Sequence, residues 1–216
     1  MWYGASSSCT LATELDMKTL HLAVFAAASL DFSAPTVGAQ GMALRPAFAD
    51  TLVLAKERAN LRLAMRGAVR KNIVSAAEAM PADKYAFAPT VGAFENVRTF
   101  GQEIRHLAAT NFILAAAALG QDPPRDAGDE AGPDSVMTKP QHLAYLNASF
   151  DALDRAISAI GDDRIPVRSS PISPFQGNTA TRIGLVSEAL IHSYDHYGQM
   201  VVYLRMNGVV PPASRP

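Results

Sequence analysis

The sequence predicts an all-α protein, a four-helix bundle preceded by an N-terminal signal-like segment. Three observations carry that prediction. Apolar residues recur at spacings of three and four along four long segments. Each segment is bounded by proline, glycine or a polar loop. No stretch alternates in the manner of a half-buried strand, and no internal repeat of solenoid length is present. Four helices of about twenty residues, each with one apolar stripe, bury those stripes best against one another. The loops between them are long enough for either up-down or crossover connections, and the sequence does not choose.

The first element is not part of the bundle. "MKTLHLAVFAAASLDFSAPTVGAQ" opens at Met17 with Lys18, continues as an apolar run from Leu20 to Leu30, and ends with Val37 and Ala39, small residues of the kind found before a signal-peptidase cut. The domain reading is therefore residues 1–39 as an extension with a secretory signal (segment 17–39), and residues 40–216 as the bundle. The expected location is exported, periplasmic or extracellular, and cytoplasmic if the segment is no signal. The true start is Met1 or Met17. Cys9 is the sole cysteine, so the chain has no internal disulfide framework.

The first bundle helix runs from about Pro46 to Met80, where "MP" closes it because a residue before proline avoids the helical region. Leu54, Leu61, Met65, Ala68 and Asn72 lie near one face. The loop "PADKYAFAPTVGAFENV" carries Tyr85 and Phe87, read as capping the core together with Phe100. The second helix spans about Val97 to Leu119 and stops at Gly120. An acidic loop rich in proline and glycine follows. The third starts near Lys139 and Pro140 and carries Leu143, Leu146, Phe150, Leu153 and Ile157 on one stripe. After the proline-containing loop "DRIPVRSSPISPFQGN", the fourth runs from about Thr179 to Asn207 and ends at Gly208.

Composition narrows function. With 19 basic and 20 acidic residues, the chain offers no electrostatic argument for nucleic acid or an anionic membrane surface. The body of the protein has no apolar run of membrane-spanning length. The expected partner is a small molecule, with no nucleic acid and no membrane after signal removal.

The chemistry rests on histidines. In "IHSYDHYGQMVVYLRMNGVVPP", His192 and His196 stand four apart and share one face of the last helix. Leu185 and Glu188 precede that face, Gln199 and Tyr203 continue it, and Arg205 lies opposite. Two inward imidazoles without partners would each cost about 1–3 kcal/mol. A divalent ion satisfies both. The second helix supplies a third ring, His106, sharing its face with Thr99, Gln102, Ile113 and Ala117. Three imidazoles plus water would make an open site of the catalytic kind. A hydrogen-bonded core pair explains the spacing equally well, and Ser193 stands where a zinc-protease helix would have a glutamate. His21 and His142 are read as incidental. Glu188 and Asp195 are candidates to orient an imidazole or accept a proton, Gln199 and Tyr203 to bind substrate or pack in the core. Gly198 is read as admitting a neighbouring helix.

The segments "AAEAMPADKYAFAPT", "VRTFGQEIRHLAATNF" and "IHSYDHYGQMVVYLRMNGVVPP" resemble the DinB-like (DinB/YfiT-type) family over residues 47–213. The last is the most specific, with its histidine pair, Gly198, Gln199, the Tyr203 to Arg205 run, Gly208 and a double proline. The resemblance implies a four-helix bundle joined by a long crossover, with a metal bound by His106, His192 and His196. It implies zinc or nickel first, with iron or manganese also compatible with three imidazoles, and a homodimer. Relatives include transferases that join a bacterial thiol to an electrophile, as well as isomerases and hydrolases. The implied function is thus a metal-dependent transferase or hydrolase using an activated thiol or water. The alternative is a non-catalytic metal-binding or stress-related bundle. The DNA-damage link in the family name implies no DNA binding.

Overall fold

The computed structural model describes residues 44–127, 130–161 and 180–216. The signal-like segment 17–39, Cys9, His21 and most of the loop before the last helix lie outside them. The first rod is helix α1 (Leu44–Ala64), a π-helical turn (Met65–Val69) and helix α2 (Arg70–Ala79), running without a break. Helices α3 (Phe100–Leu119), α4 (Lys139–Ser158) and α5 (Arg182–Met206) complete an all-α bundle with no strand among the described residues. No described helix is long and apolar enough to cross a membrane.

Local chemistry sets the ends. Met80 turns extended ahead of Pro81 and stops the first rod. Thr99 and Gln102 form a reciprocal capping box that starts α3 at Phe100, three residues later than the apolar pattern suggests. Gly120 adopts φ 69° and ends α3. A second capping box, Thr138 with Gln141, opens α4, with Pro140 in its first turn.

The inward line of the first rod is Met65, Val69, Ile73, Ala76, Ala77 and Met80. Of the stripe read from sequence only Met65 is fully buried; Leu54, Leu61, Ala68 and Asn72 are half-buried. For Ala68 and Asn72 the cause is the π turn, which holds more residues per turn than an α-helix and rotates the face that follows.

Side-chain contacts fix the topology. Arg58 donates to the Ile160 carbonyl at 2.8 Å, Arg62 to Ser158 Oγ at 2.6 Å, Arg66 to Asp154 at 2.5 Å and Arg70 to Asp151 at 2.7 Å. Numbers rise on one rod and fall on the other, so the first rod and α4 are antiparallel. Between α3 and α4 they rise together. A Cβ on Gly101 would come within 3.0 Å of His142 Nε2, and Asn111 Nδ2 donates to Ser149 Oγ at 3.3 Å. These two helices are parallel. Helices α3 and α5 are antiparallel, from Arg182 on the Ala118 carbonyl at 2.8 Å to Tyr203 beside Phe100.

A parallel α3–α4 pair demands a return connection along the bundle. Twenty helical residues span about 30 Å, and the segment after Gly120 must cover that length to reach Lys139. This crossover matters for function because it passes the middle of α3.

His142, read from sequence as incidental, is buried. Its Nδ1 donates to the Thr138 carbonyl at 2.9 Å, and its ring packs 5.2 Å from Tyr85. The aromatic loop does pack on the core. Tyr85 is buried with its hydroxyl on the Ala77 carbonyl at 2.7 Å, and Phe87 meets Tyr203 edge-on. Gly198 is exposed, and an added Cβ would meet nothing within 4 Å. It admits no helix among the described residues.

Candidate metal centre

Spacing on two helices brings one set of side chains together. Glu103 and His106 are three apart on α3, and His192 and His196 four apart on α5, so each pair shares a helix face. Antiparallel packing then sets the two faces at one level. His192 Nε2 lies 3.2 Å from His106 Nε2 and 3.1 Å from His196 Nε2. The three candidate ligand atoms all lie within 4.8 Å of one another. His106 and His196 are buried and His192 half-buried.

The outer nitrogens decide which atoms face inward. His106 Nδ1 is 2.8 Å from the Glu130 carbonyl oxygen. A carbonyl only accepts, so Nδ1 carries the proton and Nε2 presents a lone pair. His196 Nδ1 is 2.5 Å from Glu103 Oε2. With that oxygen accepting, neutral His196 also turns a lone pair inward. His192 Nδ1 is buried without a hydrogen-bond partner.

Electrostatics favour the neutral rings. Burial holds His106 below its ordinary value, against the opposing pull of the Glu130 carbonyl. Burial, followed by the charges of His196, His106 and Arg98, pushes His192 down to about 3. Both are therefore unprotonated at ordinary pH, the state a metal requires.

The donor set fits an ion. Three imidazole nitrogens held tetrahedrally at 2.0–2.1 Å would lie about 3.3–3.4 Å apart, close to the spacings here. At least two lone pairs converge on the point, and the single N–H that His192 could offer can bond only one of them. Three nitrogens leave a tetrahedral ion at least one further position.

The crossover closes part of this site. Arg105, next to His106, donates through Nε to the Ala131 carbonyl at 2.9 Å and through Nη1 to the Pro133 carbonyl at 3.3 Å. Gly132 packs so tightly on Arg105 that a Cβ there would come within 2.6 Å of Cγ, and its φ is +72°. Glu130 also adopts a positive φ, 83°, a costly conformation for a residue with a side chain. The strain is held where the loop carbonyl meets the His106 ring.

The sequence anticipated the three histidines and missed the group that supports them. Asp195 is exposed and accepts from Gln199 Nε2 at 3.2 Å, and Glu188 is half-buried on α5. Glu103 is a carboxylate that sits on an imidazole. A signal was available in "EIRH", where the spacing places Glu103 and His106 on one face. Tyr203 is buried, with its ring against Phe87 and Phe100 and its hydroxyl on the Arg98 carbonyl at 2.9 Å. The face of His106 is also wider than read. Thr110, Asn111 and Leu114 are buried, while Gln102 is exposed.

A family model described as the DinB superfamily matches residues 67–200, a span that contains Glu103 and all three histidines. No curated protein matches the chain.

Proposed function

This chain belongs to the DinB superfamily, and from that premise we propose a metal-dependent enzyme whose His106, His192 and His196 hold one divalent ion. The observation that carries the reading is the convergence of three Nε2 atoms, two of them with the opposite nitrogen already hydrogen-bonded. When bound, such an ion lowers the pKa of a coordinated water or thiol toward neutrality and so supplies a nucleophile.

The chain's own residues do the rest. Glu103 accepts a hydrogen bond from His196 Nδ1–H, which orients the ring and makes Nε2 a stronger donor. The Glu130 carbonyl does the same for His106. Arg105 holds the loop that carries that carbonyl. Buried residues around the rings keep bulk water from competing for the lone pairs.

Elemental analysis of tagless protein tests the reading and names the ion among zinc, nickel, iron and manganese. About one divalent ion per chain is expected, and none in His196→Ala. Stoichiometric metal surviving that substitution would refute the ligand assignment. Metal-loaded protein assayed with thiol and electrophile pairs, and with esters and amides, separates transferase from hydrolase. One ion per chain with no turnover of either kind would leave a non-catalytic metal-binding bundle.

A further inference from the structure

Beside the histidine cluster lies a cleft of about 210 Å³, lined by Asn96, Val97, Arg98, Gln102, Arg105 and Ala131. Three of its lining residues are immediate chain neighbours of the centre. Gln102 adjoins Glu103, Arg105 adjoins His106, and Ala131 adjoins Glu130. No acidic side chain lines it among the described residues.

Its two cations differ. Arg105 is committed to the carbonyls of Ala131 and Pro133, and it pairs with the fully exposed Asp134 at 3.3 Å. The Arg98 guanidinium has no hydrogen bond or ion pair among the described residues. Its backbone is nevertheless fixed, because the buried Tyr203 hydroxyl donates to its carbonyl. Its charge is felt by both His106 and His192. A divalent ion on three neutral imidazoles, with Arg98 beside it, leaves the centre net positive even with Glu103 counted as a full negative charge. Guanidinium is the side chain best shaped for a carboxylate.

We propose that this cleft is a carboxylate-binding subsite, in which Arg98 holds the acid group of a small-molecule substrate while the reacting end lies toward the histidine cluster. The inference deepens the metal-centre reading and rests on it. The substrate class is then a small carboxylic acid or a conjugate bearing one. Asn96 and Gln102 supply neutral hydrogen-bonding groups on the same walls.

Two probe thiols isolate the subsite, using the full chain loaded with cobalt(II) and read by its visible absorption. 3-Mercaptopropionate and 2-mercaptoethanol both offer a thiol, and only the first carries a carboxylate. The expected result is at least a tenfold preference for 3-mercaptopropionate. Arg98→Gln should remove that preference while leaving 2-mercaptoethanol binding and cobalt content unchanged, and Arg98→Lys should keep part of it. Equal binding of the two thiols by the unaltered protein overturns the subsite, as does a preference that survives in Arg98→Gln. Protein that takes up no cobalt at all overturns the metal-centre reading, and the subsite with it.

Discussion

Two seams of the bundle are held by polar side chains, and they are built in opposite ways. Between the first rod and α4, Arg58, Arg62, Arg66 and Arg70 form a ladder on Asp154, Asp151, Ser158 and the Ile160 carbonyl. Those contacts are spread along the helices, and several of the partners are open to water. Between α3 and α5, Glu103, His106, His192 and His196 gather at one depth and are largely withdrawn from water. A ladder near the surface costs little to keep, since most of its members are solvated if a partner is lost. A buried cluster of lone pairs is expensive unless something satisfies it. The first seam sets register. The second does nothing for register that leucines could not do better, which is the physical reason to assign it a ligand.

The sharpest way to break this contrast is through Glu103. Glu103→Ala should weaken metal binding by about 10- to 100-fold, the usual effect of removing a group that orients a ligating imidazole. Glu103→Gln retains an acceptor for His196 Nδ1 and should return part of the loss. Competition with a chromophoric chelator measures both. Unchanged affinity in Glu103→Ala would reduce the carboxylate to a bystander.

That residue also marks the limit of what the sequence discloses. The three histidines were legible because an imidazole pair at i, i+4 and a third ring on another inward face are polar groups that an apolar core must satisfy, and one ion satisfies all of them. Glu103 was not, because Asp195 and Glu188 lie on the same helix as the pair, and nearness along the chain is a poor guide when partners come from the facing helix. The four helices were legible from periodicity and their stops from Pro81 and Gly120. The inward line of the first rod was not, because five residues in a π turn shift the phase and leave no compositional trace. The crossover became definite only from the numbering of contacts. Once α3 and α4 are parallel, the connection between them has to travel back past His106.

A second test sharpens the contrast through pH. His106 and His192 have native values below the ordinary 6.5, the latter about 3. The unfolded chain therefore binds protons below about pH 6.5 that the folded chain refuses. Since stability rises with pH wherever the unfolded state holds more protons, this contribution is complete above about pH 6.5. It is lost as pH falls toward 3. Chelator-treated protein should show a urea midpoint that drops through this window, and His192→Phe should flatten the slope by at most one proton's share, about 1.4 kcal/mol per pH unit. His142 is also held low, by burial first, so a residual slope should remain in that variant. A midpoint that rises on acidification would mean that the rings are charged in the fold.

The smallest effect belongs to the ladder. Arg66 and Asp154 make its shortest pair, at 2.5 Å, with the arginine side chain 59% exposed. Asp154 also faces Arg62 Nε at 3.4 Å, so Asp154→Ala alone releases two cations and overstates the pair. A double-mutant cycle with Arg66→Ala removes that excess. The coupling should be about 0.2–1 kcal/mol, and it should shrink as salt rises from about 0.05 to 0.5 M because exposed charges are screened. Metal affinity should not change in either single variant, since both residues lie on the seam away from α5. A coupling above about 2 kcal/mol, or a chelator titration that shifts with Arg66→Ala, would mean that the register set along α4 is felt at the histidines, and the separation of the two seams would fail.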